Sequence, residues 1–226
     1  MIVEIVNLLG VCGMKARFFL AIANVVAIGT SISACSGGSA SNPASGSASA
    51  FASSSATGKT LPYAGAPKVR SPLPASVLSG HPCDDALTSD QVGKILVQRP
   101  RGRHDDEPSL GPQCHWINGD AGAVATVMYV TKVSDGLSAV YANSKPQSTL
   151  WRPLPAVQGF PAVAHSNLSD SAAKEFCQVS VGISDQHDVD ISVTLGKSKV
   201  GESDPCDVTA QVADMVVANL KRKAGT

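Results

Sequence analysis

Phe176-Cys177-Gln178-Val179-Ser180-Val181-Gly182-Ile183 and Val189-Asp190-Ile191-Ser192-Val193-Thr194-Leu195 decide the fold. In the first stretch Cys177, Val179, Val181 and Ile183 alternate with Gln178, Ser180 and Gly182. In the second, Ile191, Val193 and Leu195 are expected to face inward, with Ser192 and Thr194 outward. Strict alternation of this kind marks a strand with one buried face. Asp185-Gln186-His187-Asp188 between them is rich in turn formers. The two strands therefore form a hairpin, and the sheet they found is antiparallel.

Working outward, Gln113-Cys114-His115-Trp116-Ile117 reads as a strand with Cys114 and Trp116 on its inner face. Asn118-Gly119-Asp120 is a turn signal, and Ala123 to Thr131 is a second strand, giving another hairpin. A third strand begins at Phe160-Pro161-Ala162-Val163-Ala164-His165, while Trp151 to Pro161 reads as proline-rich and irregular. Three helices frame these strands. Thr88-Ser89-Asp90-Gln91 is a capping box ahead of Val92, Ile95 and Leu96. Ser134 is expected to cap a helix carrying Leu137, Val140 and Tyr141, with Pro146 beyond its end. Asp204 and Pro205 open the last helix, whose buried stripe is Val208, Val212, Met215, Val216 and Leu220. The order is αββαβββα. The class is α+β: an antiparallel sheet of about five strands flanked by helices.

The 226 residues carry 18 basic and 18 acidic side chains, so no basic field favours nucleic acid. Six cysteines divide unevenly. Cys12 falls in or before the leader, Cys35 ends an apolar run, and Cys83, Cys114, Cys177 and Cys206 lie in the domain expected over residues 81–223. An even number in an exported domain reads as two disulfides, and four cysteines leave three pairings open. A zinc site is the rival reading, but no C-x-x-C spacing or helical His pair completes one.

Met14-Lys15-Ala16-Arg17 is a positive n-region, Phe18 to Thr30 an apolar h-region, and Ile32-Ser33-Ala34 precedes Cys35. Residues 1–34 are therefore read as a signal peptide with its true start at Met14. The apolar run is shorter than the ~20 residues a membrane span needs. An aliphatic residue, two small residues and a cysteine resemble the lipobox of bacterial lipoproteins, which implies a lipid on Cys35. Residues 35–80 are expected to be the lipidated cysteine and a flexible Ser/Gly/Pro-rich tether.

No catalytic constellation is legible: there is no G-x-S-x-G and no H-E-x-x-H. No cofactor and no metal are expected. His104, Asp105, Asp106 and Glu107, with His115 nearby, have the residue types of a metal or acid/base cluster, but such a run is more often a solvated loop. Lys221, Arg222 and Lys223 suit the end of a helix dipole. Trp151 and Phe160 are the candidates for a partner surface, the alternative being that their segment packs over one end of the sheet.

Five short motifs carry a family resemblance: Pro82-Cys83-Asp84-Asp85-Ala86-Leu87-Thr88, Cys114-His115-Trp116, Gly159-Phe160-Pro161-Ala162, Phe176-Cys177-Gln178-Val179 and Asp204-Pro205-Cys206-Asp207. In this order they resemble the DUF3558 family of actinobacterial lipoproteins. The resemblance implies a cell-envelope lipoprotein with a diacylglyceryl group and palmitate at Cys35, held on the outer face of the cell membrane. It implies a small α+β fold similar to PsbP-like proteins, and the pairs Cys83–Cys114 and Cys177–Cys206. The expected function is non-enzymatic binding of an envelope protein partner or a small ligand, with an enzyme or accessory subunit acting on envelope substrates as the alternative.

Overall fold

The computed structural model describes residues 59–226; the leader with Met14, Cys12, Cys35 and the tether up to residue 58 lie outside the described residues. Among the described residues the strands are β1 (Arg103–His104), β2 (Gln113–Asn118), β3 (Ala123–Val130), β4 (Leu150–Val157), β5 (Phe160–Ser166), β6 (Phe176–Gly182) and β7 (Asp188–Thr194). The helices are α1 (Pro82–Asp85), α2 (Ser89–Leu96), α3 (Leu137–Ala139), α4 (Asp170–Ala173) and α5 (Pro205–Ala224). The strands make one antiparallel sheet in the order β1-β2-β3-β7-β6-β5-β4. The deciding hairpin sits inside it, with Val179 opposite Ile191.

The class is α+β, but the sheet has seven strands where about five were expected. Both additions lie on its edges. β1 is a two-residue strand inside the charged loop. β4 occupies the stretch expected to be irregular, and it contains Pro153 and Pro155. An edge strand has a neighbour on one side only, so a missing N–H can point away from the ladder at no cost.

One face of the sheet carries the main core. Val127, Val179 and Ile191 meet Val212, Val216 and Leu220 of α5, all buried. Asp204 caps α5 by accepting from the backbone N–H groups of Cys206 and Asp207. Cys177 of β6 and Cys206 of α5 form one disulfide, and Thr209 Oγ1, which donates to the Pro205 carbonyl of its own helix at 2.7 Å, lies 3.3 Å from the Cys177 carbonyl beside it. Cys83 of α1 and Cys114 of β2 form the other. Each bond therefore fastens a helix to the sheet, in the pairing that the resemblance implied. The Thr88–Gln91 capping box of α2 is present with both of its hydrogen bonds. Buried Tyr129 donates to Asp85 Oδ1 at 2.6 Å, and Lys223 reaches the other oxygen of Asp85, which ties α1 to the sheet and to α5.

The expected tether boundary at residue 80 is corrected. Val69, Leu73, Val77 and Leu78 are buried in the main core, and the Leu73 N–H donates to the Ile183 carbonyl at 2.9 Å. The prolines of this stretch disguise apolar residues that have neither helical nor strand period, yet fill the end of the sheet.

The opposite face is covered only in part. α3 runs directly into a π-helical turn, Val140–Ser144, and a 3-10 turn, Lys145–Gln147. Gly136, with φ of 48°, precedes α3 where Ser134 was expected as a cap, and Pro146 lies within the 3-10 turn. Leu137 and Val140 join Ala66 and Val163 in a small second core. Gly182 permits this docking, since a Cβ there would lie 2.9 Å from the Leu137 side chain.

Candidate functional site

Alternation on β5, β6 and β7 sends most of their apolar residues to the main core and their polar residues, with Val163 and Phe176, to the opposite face. Registers place Thr126, Ser192, Gln178 and His165 side by side across four strands, and Ser180 beside Asp190. The α3 segment stands over part of this polar face. Between them lies a cavity of about 290 Å³, walled by Asn143, Ser144 and Gln147 and floored by His165, Gln178 and Asp190. A second cavity of about 200 Å³ adjoins it, sharing Leu110, Asn143, Ser144 and Asp190 and reaching Asp188. Asn143 and Ser144 of that wall belong to the π-helical turn, a local geometry that recurs at functional sites, and Gln147 to the 3-10 turn after it.

The floor is a hydrogen-bonded chain. Ser180 Oγ donates to Asp190 Oδ1, and His165 Nε2 lies 2.9 Å from the same Oγ. A hydroxyl has one proton, so Ser180 gives it to one neighbour and accepts from the other: with Asp190 ionised it donates to the carboxylate and accepts from His165, and with Asp190 protonated the order reverses. Burial lowers the His165 pKa, against the pull of the Asp190 charge, and keeps the imidazole neutral. Burial raises the Asp188 pKa well above the ordinary carboxylate range, and the neighbouring Asp190 raises it further. Burial also raises that of Asp190, opposed by the Ser180 hydrogen bond and His165. A nucleophilic serine needs its proton accepted by the histidine. Here the serine stands between histidine and acid, bridging β5 and β7.

The residues singled out in the sequence fall elsewhere. Phe160 is 4% exposed and packs in the main core, so it is not a partner surface. Trp151 is half-buried, edge-on to Tyr141 at 4.9 Å between centroids, and walls the small core. The segment joins the sheet as its edge strand, and Trp151 buries one side against Tyr141 in the turn that follows α3. The charged loop gathers into two pairs. His81 stacks on His104 at 3.7 Å; its Nδ1 accepts from the Cys83 N–H, which leaves Nε2 to donate to Asp106 at 2.9 Å. That hydrogen bond lowers the Asp106 pKa. His115 sits between Thr126 Oγ1 and Gln113, with an Asp105 oxygen 3.2 Å from its Nε2. His81, Cys83 and His104 bring potential metal-ligand atoms within 4.8 Å, but the Cys83 sulfur is engaged with Cys114. A disulfide sulfur is not a thiolate, so this group lacks its third ligand.

His165, Ser180, Asp188 and Asp190 were not singled out in the sequence. Asp188 read as a turn residue and Ser180 as an outward strand position. One signal pointed to them: the helix expected at Leu137, Val140 and Tyr141 is apolar on one side and needs a face to cover. It takes Val163 and Gly182 on the far side of the sheet, and the turn after it thereby overhangs the polar residues beside them.

Among the described residues no helix is long and apolar enough to cross a membrane. No curated protein and no solved structure matches the chain. The family described as "Protein of unknown function (DUF3558)" matches residues 31–219, most of the sequence and all of the sheet. With both disulfides joining the motif cysteines, the conclusion is that this chain belongs to the DUF3558 family.

Proposed function

We propose that the protein is a non-enzymatic lipoprotein of an actinobacterial cell envelope, anchored through lipid on Cys35 at the outer face of the cell membrane, whose domain captures a small ligand in the cleft under the π-helical turn. The cleft carries this reading. It is concave, it has polar groups on floor and wall, and it holds two carboxyls and a neutral imidazole whose pKa values are shifted by burial. The basic n-region, Ile32-Ser33-Ala34-Cys35, and a family match that begins at residue 31 and takes in Cys35 support the anchor.

Two measurements on the full chain test the proposal. Cys35→Ala is expected to shift the protein from membrane to soluble fractions; a variant that stays in the detergent phase refutes the anchor. Native mass spectrometry of the protein extracted from its own membranes is expected to show a retained small molecule that Asn143→Trp, at the exposed lip of the cleft, displaces. An unliganded protein, or an adduct indifferent to that substitution, refutes the cleft.

A further inference from the structure

Asp188 and Asp190 stand two residues apart on β7 and share its cleft face. Asp188 is 2% exposed, lines the smaller cavity and, among the described residues, receives no hydrogen bond from another side chain. Asp190 lines both cavities. Asp190 itself is only half-buried, but a carboxyl as buried as Asp188, beside a second on the same face, ordinarily comes with a lysine or arginine. Among the described residues none lines either cavity. Lys145, the basic residue of the covering segment, lies instead over the rings of Tyr141 and Trp151, at 5.3 and 5.5 Å from their centroids. The groups facing the carboxyls are His165 from β5, Ser180 and Gln178 from β6, and Asn143 and Ser144 from the wall, and none of these is a permanent cation.

We infer that the cleft takes a small organic cation, a primary ammonium whose positive head sits against Asp188 and Asp190 and supplies the countercharge the fold leaves out. The inference rests on the cleft being a ligand site and names what it holds. The Asn143 and Gln178 side chains carry carbonyl oxygens suited to accept from such a head. An anion would meet two carboxyls and no cation. A divalent metal is less well served. Among the described residues no third His, Cys, Asp or Glu ligand atom gathers with this pair.

Protons balance simply. In the empty cleft, burial holds the carboxyls protonated to higher pH than usual. Binding of R–NH₃⁺ forms the carboxylate–ammonium pair and releases a carboxyl proton to solvent. Affinity therefore rises with pH until the carboxyls ionise unaided. Protonation of His165 at low pH adds a repelling charge and acts in the same direction.

The test is calorimetric titration of the full-length protein in detergent with 1,5-diaminopentane, with 1-pentanol and Ca²⁺ as comparisons. The diamine is expected to bind with a heat that varies with the buffer's ionisation enthalpy, as proton release requires. Its affinity is expected to rise about tenfold or more between pH 5 and pH 8, and to fall about tenfold in Asp188→Asn. If that variant does not fold, the buffer dependence in the unaltered protein decides. Tighter Ca²⁺ binding that displaces the diamine overturns the organic cation. Pentanol binding without the diamine overturns the charge argument but leaves the cleft a ligand site. Binding of none of the three overturns the organic cation, and the retained-ligand measurement then decides separately whether the cleft binds at all. Diamine binding without proton release, undiminished by Asp188→Asn, places the cation elsewhere and also overturns it.

Discussion

Removing the Cys177–Cys206 disulfide has a calculable consequence. The bond closes a chain separation of 29 residues and fastens the first turn of α5 to the middle of the sheet. Loop-closure entropy for a ring of that size corresponds to about 3.6 kcal/mol of stability, withheld from the unfolded chain. Domains of ordinary stability have ~5–15 kcal/mol in total, so this one bond is a large share. Both cysteines are buried, at 0% and 1% exposure, so Cys177→Ala with Cys206→Ala avoids burying a serine hydroxyl or leaving a free thiol. The buried stripe of Val212, Val216 and Leu220 remains to dock α5. The double variant should therefore fold, with unchanged far-ultraviolet circular dichroism, and unfold earlier. With an m value of ~2 kcal/mol/M in urea, the midpoint falls by about 1.8 M. In a thermal scan the loss is ~7–14 °C. A midpoint shift under about 0.5 M, at an unchanged m value, refutes the loop-entropy reasoning. A molten helical signal with lost near-ultraviolet bands refutes the claim that side-chain packing alone holds α5.

Gly102 lies over the other disulfide, where a Cβ would fall 2.5 Å from the Cys114 sulfur and 2.9 Å from that of Cys83. Gly102→Ala is expected to cost ~1–3 kcal/mol in chemical denaturation, and a neutral result refutes the packing. Asn219 donates from Nδ2 to the Ala86 carbonyl at 2.7 Å and to Gln91 at 2.8 Å, joining α5 to α1 and α2. Asn219→Ala leaves that carbonyl unpaired and should cost ~1–3 kcal/mol, read as a lower melting temperature. Asp188 has a folded-state pKa raised above its unfolded value, so the unfolded chain ionises first as pH rises. The native state then loses stability from the ordinary carboxylate pKa upward to the raised one. Asp188→Asn should be more stable than the unaltered protein at pH 7 and equal to it near pH 3; lower stability at pH 7 refutes the burial argument.

Much of the fold was legible because its central elements announce themselves locally. The β6–β7 hairpin is strict alternation around a turn, the α2 capping box is four adjacent residues, and Asp204-Pro205 states the start of α5. The edges were not legible. β4 carries two prolines, and β1 is two residues long inside a charged loop, so each exists only because a neighbouring strand offers it a ladder. The stretch Val69 to Leu78 shows the same limit, since its apolar residues follow the contour of the sheet's end and no period of their own.

The candidate site divides in the same way. Local sequence by itself determined that the chain is α+β and antiparallel, which cysteines lie in the domain, and that Ser180, Asp190 and Ser192 are absent from the main core, because period and capping are short-range effects. Only the tertiary structure decided that Phe160 is core, that Trp151 walls a second core, and that the polar side of β6 and β7 is roofed by a π-helical turn. Alternation tells a residue which side of the sheet it takes. Whether water or another element waits on that side depends on segments some fifty residues away, and it is their packing that converts Asp188 and Asp190 from strand surface into the floor of a cleft.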